Sequence, residues 1–395
     1  MLEALSRALF DGSGSEQNYS YLTGFSCEGC GKSSDYRAPV NTCPNCGSML
    51  SCTYDYEKAK EVLDPSAVSS REKSLWRYHE VLPIRDPRNM VSLGEGLTPI
   101  VPLANALLLK DDGAIPTGTF KARGMSVAVS KAKEFGLKKL VVPSAGNAGS
   151  ALACYAARAG ISAKVYMPVE TPESMVKECK MYGAEVVQVE GNIGDAGSRM
   201  RVEMDDYFDV STLKEPCRLE GKKTMGYEIA EQTRFELPDV ILYPTGGGTG
   251  LLGMWKAFDE LEKLGWIGGK RPRFFAVQSN SCAPIVEAIA SDLDAPDPEF
   301  PDGLTVATGL RVPRPFAGRE VVSVLKESRG GAVGVPDTEI LNSMRALAKQ
   351  GVLACPEGAA TLAGYNKLSE QGGVSRDERA LLYNTGTGLK YMSLS

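Results

Sequence analysis

From Leu137 onward the chain alternates short apolar runs with helical segments, and this rhythm constrains its fold more than any other feature. The candidate strands are Leu140 to Pro143, Lys164 to Pro168, Val186 to Glu190, Val240 to Tyr243 and Phe274 to Gln278. Runs of this length with helices between them predict parallel α/β layers. In such sheets a ligand binds beyond the carboxyl ends of the strands, so the loops at those ends are where chemistry is to be sought.

Two loops stand out. Ser144-Ala145-Gly146-Asn147-Ala148-Gly149 follows the strand ending at Pro143 and precedes a helix over Ser150 to Arg158. Its small residues let backbone and an amide side chain approach a ligand closely. Thr245-Gly246-Gly247-Gly248-Thr249-Gly250 follows Val240 to Tyr243 and opens a helix at Leu251. Consecutive N–H groups at a helix start form an anion cradle, with phosphate the natural guest. Gly248, Gly250 and Gly253 formally match a dinucleotide fingerprint, which also requires an acid at the end of the next strand. That strand ends in Gln278-Ser279, so a nicotinamide enzyme is disfavoured. A Walker loop fails too, because Gly221-Lys222-Lys223 lacks the hydroxyl and the upstream glycine.

Upstream, Pro116 and Gly118 punctuate a turn before Lys121, which starts a segment with Met125, Val129, Ala132 and Phe135 at helical spacing. The positive end of a helix dipole disfavours a cation there. That lowers the lysine's pKa toward the neutral amine, the form that attacks carbonyls. Downstream, Asn384-Thr385-Gly386-Thr387-Gly388-Leu389-Lys390 follows the apolar run Leu381 to Tyr383, another strand end rich in glycine and hydroxyls.

The N-terminal part has a different character. Cys27, Cys30, Cys43 and Cys46 form two C-x-x-C pairs separated by 12 residues, each pair followed by glycine. This spacing suits a closed tetrahedral structural zinc site. Lys32 and Arg37 alone make a weak basic patch, so a nucleic-acid-binding ribbon is disfavoured. Residues 55 to 75 read as a charged helical connector. The lone histidine, His79, lies among aromatic neighbours and reads as structural, which leaves no Ser-His-Asp or Cys-His machinery. A net charge of −5 argues against nucleic-acid or anionic-membrane partners. No apolar run approaches a bilayer span. Met1 to Phe10 lacks a signal peptide's apolar core, so a cytoplasmic protein is expected.

A lysine at a helix start, an asparagine loop, a glycine cradle and a Thr-Gly loop together suit one cofactor. Pyridoxal phosphate needs an amine for its aldehyde, a nest for its phosphate, and partners for its phenolic oxygen and ring nitrogen. The segments Ser92 to Pro99 (SLGEGLTP), Pro116 to Gly124 (PTGTFKARG), Ser144 to Asn147 (SAGN), Arg218 to Thr224 (RLEGKKT), Pro244 to Gly250 (PTGGGTG) and Asn384 to Lys390 (NTGTGLK) resemble the threonine synthase family. Residues 90 to 395 carry the resemblance, and some members also have an N-terminal zinc-ribbon-like segment.

The resemblance implies the tryptophan-synthase-β fold, that is, pyridoxal-phosphate fold type II with two parallel-sheet α/β domains. Residues 1–70 would be the ribbon and connector, 71–124 with 213–395 the large cofactor-binding domain, and 125–212 the small domain. It implies a lyase that converts O-phospho-L-homoserine and water to L-threonine and phosphate, commonly as a homodimer. Lys121 would bond the cofactor and then shuttle protons. Asn147 would hold the phenolic oxygen, and Gly246, Gly247, Gly248, Thr249 and Gly250 the phosphate. Thr385 would meet the ring nitrogen, with Thr387 as runner-up. Arg123 and Ser144 would meet the substrate's phosphate. Ala148 and Glu215 stand where many members have threonine and asparagine. An unpaired Glu215 beside a phosphate is unfavourable, and the alternative it leaves is a relative such as a cysteate synthase or a threonine or serine ammonia-lyase.

Overall fold

The structure, a computed structural model, describes residues 18–394. Met1 to Phe10, read above as lacking a signal-peptide core, lies outside the described residues. The chain begins with an antiparallel sheet of β1 (Leu22–Cys27), β2 (Ser33–Ser34) and β3 (Leu50–Tyr54). The charged connector forms two short helices, α1 (Tyr56–Val62) and α2 (Pro65–Ser70), each capped by an aspartate. His79 is structural, stacked on Tyr19 at 4.1 Å, with Nδ1 2.6 Å from the Tyr19 carbonyl oxygen.

The antiparallel pair β4 (Ile100–Ala104) and β5 (Leu107–Asp111) leads into α3 (Lys121–Glu134). The alternation read from the sequence then follows: β6 (Lys139–Pro143), α4 (Asn147–Ala159), β7 (Ser162–Pro168), α5 (Glu173–Met181), β8 (Glu185–Val189), α6 (Ile193–Glu203) and β9 (Phe208–Asp209). After α7 (Cys217–Gln232) come β10 (Val240–Pro244), α8 (Thr249–Lys263), β11 (Arg273–Ser279), α9 (Pro284–Ala290) and α10 (Gly318–Glu327). The chain ends with β12 (Gly331–Val335), α11 (Asp337–Ala348), α12 (Pro356–Glu370) and β13 (Ala380–Asn384).

Two largely parallel sheets result. One has the order β8-β7-β6-β9; the other has the order β12-β11-β10-β13-β5-β4, with only β4 antiparallel. The inner strands of the larger sheet are largely apolar, as a sheet covered on both faces requires, with Lys110 of β5 and Asn384 of β13 among the exceptions; β10 and β13 are buried at every position. Each predicted strand is present, with ends shifted by one or two residues.

Helix α3 joins the two sheets. It packs on α4 beside the smaller sheet and on α7 beside the larger one. Its approach to α7 depends on two glycines. A Cβ on Gly221 would stand 2.1 Å from the Arg123 carbonyl oxygen, and one on Gly124 2.9 Å from that of Arg218. This close crossing sets Arg218 and Lys222 beside the start of α3. The N-terminal sheet docks on the outer face of α7 and α8 through buried charge. Tyr54 Oη donates to Glu220 at 2.8 Å and Tyr56 Oη to Glu260 at 3.0 Å, while Lys223 Nζ reaches Glu260 at 2.9 Å.

Candidate active site

The carboxyl ends of β6, β10 and β13 and the start of α3 surround one cavity of ≈ 270 Å³. The pieces are tied together by backbone. Phe120 N donates to Thr385 O at 2.9 Å, and Thr387 N to Gly118 O at 2.8 Å. Lys121 faces the cavity from the first turn of α3, which has no side-chain cap. Its pKa is lowered to about 7, first by burial and then by the Arg218 guanidinium, with Glu357 opposing. The dipole argument thus had the direction right, while desolvation and a second cation are the cause. The Phe120 ring lies against both lysines, its centroid 4.5 Å from Lys121 Nζ and 4.4 Å from Lys222 Nζ. Lys222 donates to the Phe120 carbonyl oxygen and so is held back from the cavity.

The loop after β10 forms the cradle. Gly246 and Gly250 are glycines because nothing larger fits: a Cβ would stand 2.3 Å from Gly309 O at the first and 1.9 Å from Tyr243 Oη at the second. Gly248 has φ +77°, the left-handed region that favours glycine. Gly247 differs. A Cβ there would meet only Thr212 Cγ2, at 3.9 Å, and would project into the cavity that this glycine lines.

Asn147 starts α4 and also lines the cavity. Its Nδ2 donates to Tyr391 Oη at 2.8 Å, and its Oδ1 is buried without a partner. Ser144 Oγ accepts from Gly146 N at 3.0 Å and Gly149 N at 2.9 Å, which shapes the loop around Asn147. Thr385 lines the cavity with its hydroxyl 3.5 Å from Cys355 Sγ. Thr387 is not among the lining residues, and its Oγ1 accepts from Leu389 N.

Arg123, expected at the substrate's phosphate, is elsewhere. It has no exposed surface and no place in the cavity wall. Its Nε donates to Asp112 at 2.7 Å and its Nη2 to Glu228 at 2.9 Å, while Lys110 reaches the same glutamate at 2.8 Å. It is one member of a buried charge network that ties α3 to α7. Glu215 is also accounted for. Buried at the start of α7, it accepts from Cys217 N at 3.0 Å and Arg218 N at 2.7 Å, so it caps that helix and does not line the cavity. Ala148 lines the cavity.

Several cavity groups went unassigned in the sequence reading. Arg311, Arg314, Cys355 and Glu357 line the wall. Arg218, within a recognised segment but given no role, is buried against Lys121 with Nη1 donating to Val210 O at 2.6 Å and Nε without a partner. The only local signal for Glu357 was the Cys355-Pro356 helix start.

Away from this cavity, the Sγ atoms of Cys27, Cys30, Cys43 and Cys46 lie within 4.8 Å of one another. Four thiolates on one zinc at about 2.3 Å stand roughly 3.8 Å apart, and Cys30 and Cys43 are 3.8 Å apart. Gly31 N and Gly47 N each turn back to the carbonyl of the first cysteine of their pair, at 2.9 and 2.8 Å. This group can hold zinc with no position left open.

The cavity fits pyridoxal phosphate on three structural grounds: a lysine poised near neutrality, an orphaned Asn147 Oδ1, and a glycine cradle whose one open direction is the cavity. A family model described as pyridoxal-phosphate dependent enzyme matches residues 91–386. Among solved structures, maize serine racemase superposes with a TM-score of 0.62 at 23% identity, covering 75% of this chain and 91% of the other. A processed threonine deaminase isoform from Solanum lycopersicum gives 0.62 at 20% identity, covering 78% and 88%. Fold and site define a pyridoxal-phosphate dependent lyase of fold type II.

Closer sequence relatives narrow this. The threonine synthase of Methanocaldococcus jannaschii is 35% identical over 375 residues, 92% of each chain. That of Methanosarcina acetivorans is 35% identical, covering 92% of this chain and 91% of its own. That of a Bacillus species is 36% identical, covering 80% and 89%. The chain belongs to the threonine synthase family.

Proposed function

We propose that the chain converts O-phospho-L-homoserine and water to L-threonine and phosphate, in a cavity built around Lys121. The observation that carries this reading is a lysine with a pKa lowered to about 7 in a cavity that also holds a glycine anion cradle. Pyridoxal phosphate supplies an electron sink for charge that develops on the substrate carbons. Lys121 is the residue that would hold the cofactor and would accept and return protons at those carbons; a pKa near working pH suits both directions. Backbone N–H groups over Gly246 to Gly250, with Thr249, hold the cofactor phosphate, and Asn147 holds its phenolic oxygen. The Thr385 hydroxyl is a neutral partner for the ring nitrogen and does not force its protonation.

The substrate's phosphate is a dianion that seeks charge-assisted donors. The reading assigns it to the Ser144 loop and to the cations that wall or flank the cavity: Arg218, Arg311 and Arg314. Glu215 no longer opposes it, because its charge is spent on the α7 N-terminus. That removes one ground for an ammonia-lyase or cysteate synthase reading; the other, Ala148, lines the cavity. The same reading takes 71–124 with 213–395 as the cofactor-binding domain, 125–212 as the small domain, and the enzyme as a cytoplasmic homodimer. Among the described residues no helix is long and apolar enough to cross a membrane.

The test runs O-phospho-L-homoserine, O-phosphoserine with sulfite, threonine and serine side by side on the purified chain. Threonine and phosphate from the first is the expected result. Ammonia and a keto acid from the unphosphorylated amino acids alone would overturn it.

A further inference from the structure

An amide side chain can meet a ligand with its oxygen or with its nitrogen, and the surrounding hydrogen bonds decide which. A phenolate only accepts, so the nitrogen end of Asn147 is the end that serves a cofactor's phenolic oxygen. Asn147 is half-buried and lines the cavity. Its Nδ2 carries two hydrogens. One goes to Tyr391 Oη at 2.8 Å, and the other has no partner among the described residues.

Tyr391 lies in the C-terminal turn Gly388–Leu394, is 4% exposed, and has no place in the cavity wall. The turn is fixed at both sides of its start: Gly388 N donates to Leu353 O at 2.7 Å, and Lys390 Nζ reaches Glu178 of α5 at 2.8 Å. Tyr391 itself packs on Met175 and Cys355. Its hydroxyl donates to Glu357 Oε1 at 3.5 Å, an oxygen that Gly309 N also holds at 2.7 Å. Burial and then the Glu357 charge raise the Tyr391 pKa well above the ordinary phenol range, so the proton stays on the hydroxyl. A hydroxyl has one hydrogen to give. With that hydrogen on a carboxylate, Tyr391 Oη can only accept from Asn147, and only Nδ2 can donate. A reversed amide would set lone pair against lone pair.

We propose that Tyr391 is a positioning residue for the cofactor: backed by Glu357, its hydroxyl fixes the Asn147 amide with the nitrogen toward the phenolic oxygen. The proposal rests on the cofactor role given to Asn147 above.

The experiment strips the full chain of cofactor and titrates it with pyridoxal phosphate and, separately, with 3-deoxypyridoxal phosphate, which lacks the phenolic oxygen. Tryptophan fluorescence reports each affinity, and the ratio of the two is the readout. Asn147→Ala is expected to weaken pyridoxal phosphate binding about 10- to 100-fold and to leave the analogue near wild type. Tyr391→Phe removes one oxygen and should weaken pyridoxal phosphate binding about 3- to 10-fold, again sparing the analogue. Glu357→Met removes the acceptor behind Tyr391 and should change the ratio in the same sense; it carries the test if the phenylalanine variant does not fold. Glu357 also bears on the Lys121 amine, but that effect falls on both aldehydes and cancels in the ratio. A Tyr391→Phe chain with the wild-type ratio, whether it binds both compounds normally or loses both alike, overturns the proposal. If Asn147→Ala also keeps the wild-type ratio, the role given to Asn147 fails with it, which tells the two failures apart.

Discussion

Two neighbouring glycines of the cradle should respond in opposite ways to the same added methyl group. In Gly250→Ala the new Cβ stands 1.9 Å from Tyr243 Oη and 2.8 Å from Met225 Cε, both fully or nearly fully buried. Overpacking of this kind costs about 1–3 kcal/mol, and the loss falls on the fold whether or not cofactor is present. In Gly247→Ala the Cβ meets nothing closer than Thr212 Cγ2 at 3.9 Å. Gly247 is also absent from the positive-φ positions, so alanine takes its backbone without strain. The apoprotein should then be unchanged or more stable by up to about 1 kcal/mol, since alanine restricts the unfolded chain. The methyl group does occupy the space above the cradle N–H groups. Losing one hydrogen bond to a charged phosphate costs about 1.5–3 kcal/mol, which is roughly 10- to 150-fold in affinity. The assay is thermal melting of both apoproteins, followed by titration with pyridoxal phosphate monitored by tryptophan fluorescence. Equal destabilisation of the two apoproteins, or a Gly247→Ala affinity equal to wild type, would refute the reasoning.

Lys121→Ala should abolish both turnover and the visible absorbance of bound cofactor. Because the wild-type amine is neutral above a pKa of about 7, cofactor capture by apoprotein should speed up as pH rises through that value; a rate that climbs only toward pH 10 would contradict it. For the same reason the charged form is disfavoured in the fold, so apoprotein stability should rise with pH from about 7 toward the ordinary lysine range. Arg123→Met leaves Asp112 and Glu228 buried with fewer partners and should cost about 3–5 kcal/mol without a specific rise in KM for the phosphorylated substrate; a KM effect with unchanged melting would restore Arg123 to the substrate site. Metal analysis should return about one zinc per chain, and chelation should loosen the N-terminal sheet while the cofactor spectrum persists; loss of cofactor on chelation would contradict this separation.

Most of the residues proposed to hold the cofactor were legible as cavity-lining groups because each sits on a strand-end loop with its own local signal. Asn147 and the cradle follow apolar runs and precede helices, and glycine spacing marks the turns. Several of the strands the sequence reading did not name had weak signals: β12 contains two glycines, β9 is two residues long, and β4 lies on a sheet edge with a proline inside it. Arg123 shows where proximity in sequence misleads. Two residues beyond Lys121 on a helix lies about 200° around the axis, so when one side chain faces the cavity the other faces α7. Arg218, Glu357 and Tyr391 carried little local signal of a place at the site, because they reach it from elements separated from Lys121 by 97, 236 and 270 positions.

The sequence by itself determined the parallel α/β layering, the loops that meet a ligand, the lysine, and the four-cysteine group. These depend on hydropathy period and on backbone positions only glycine can fill, both written within a few consecutive residues. Which charges face the cavity was decided by the tertiary structure alone. The glycine contact between α3 and α7 brings Arg218 against Lys121 and turns Arg123 into a buried ion network, while α12 delivers Glu357 to the opposite wall. A side chain's electrostatic surroundings are set by whatever the fold packs against it, and those neighbours are distant in the chain.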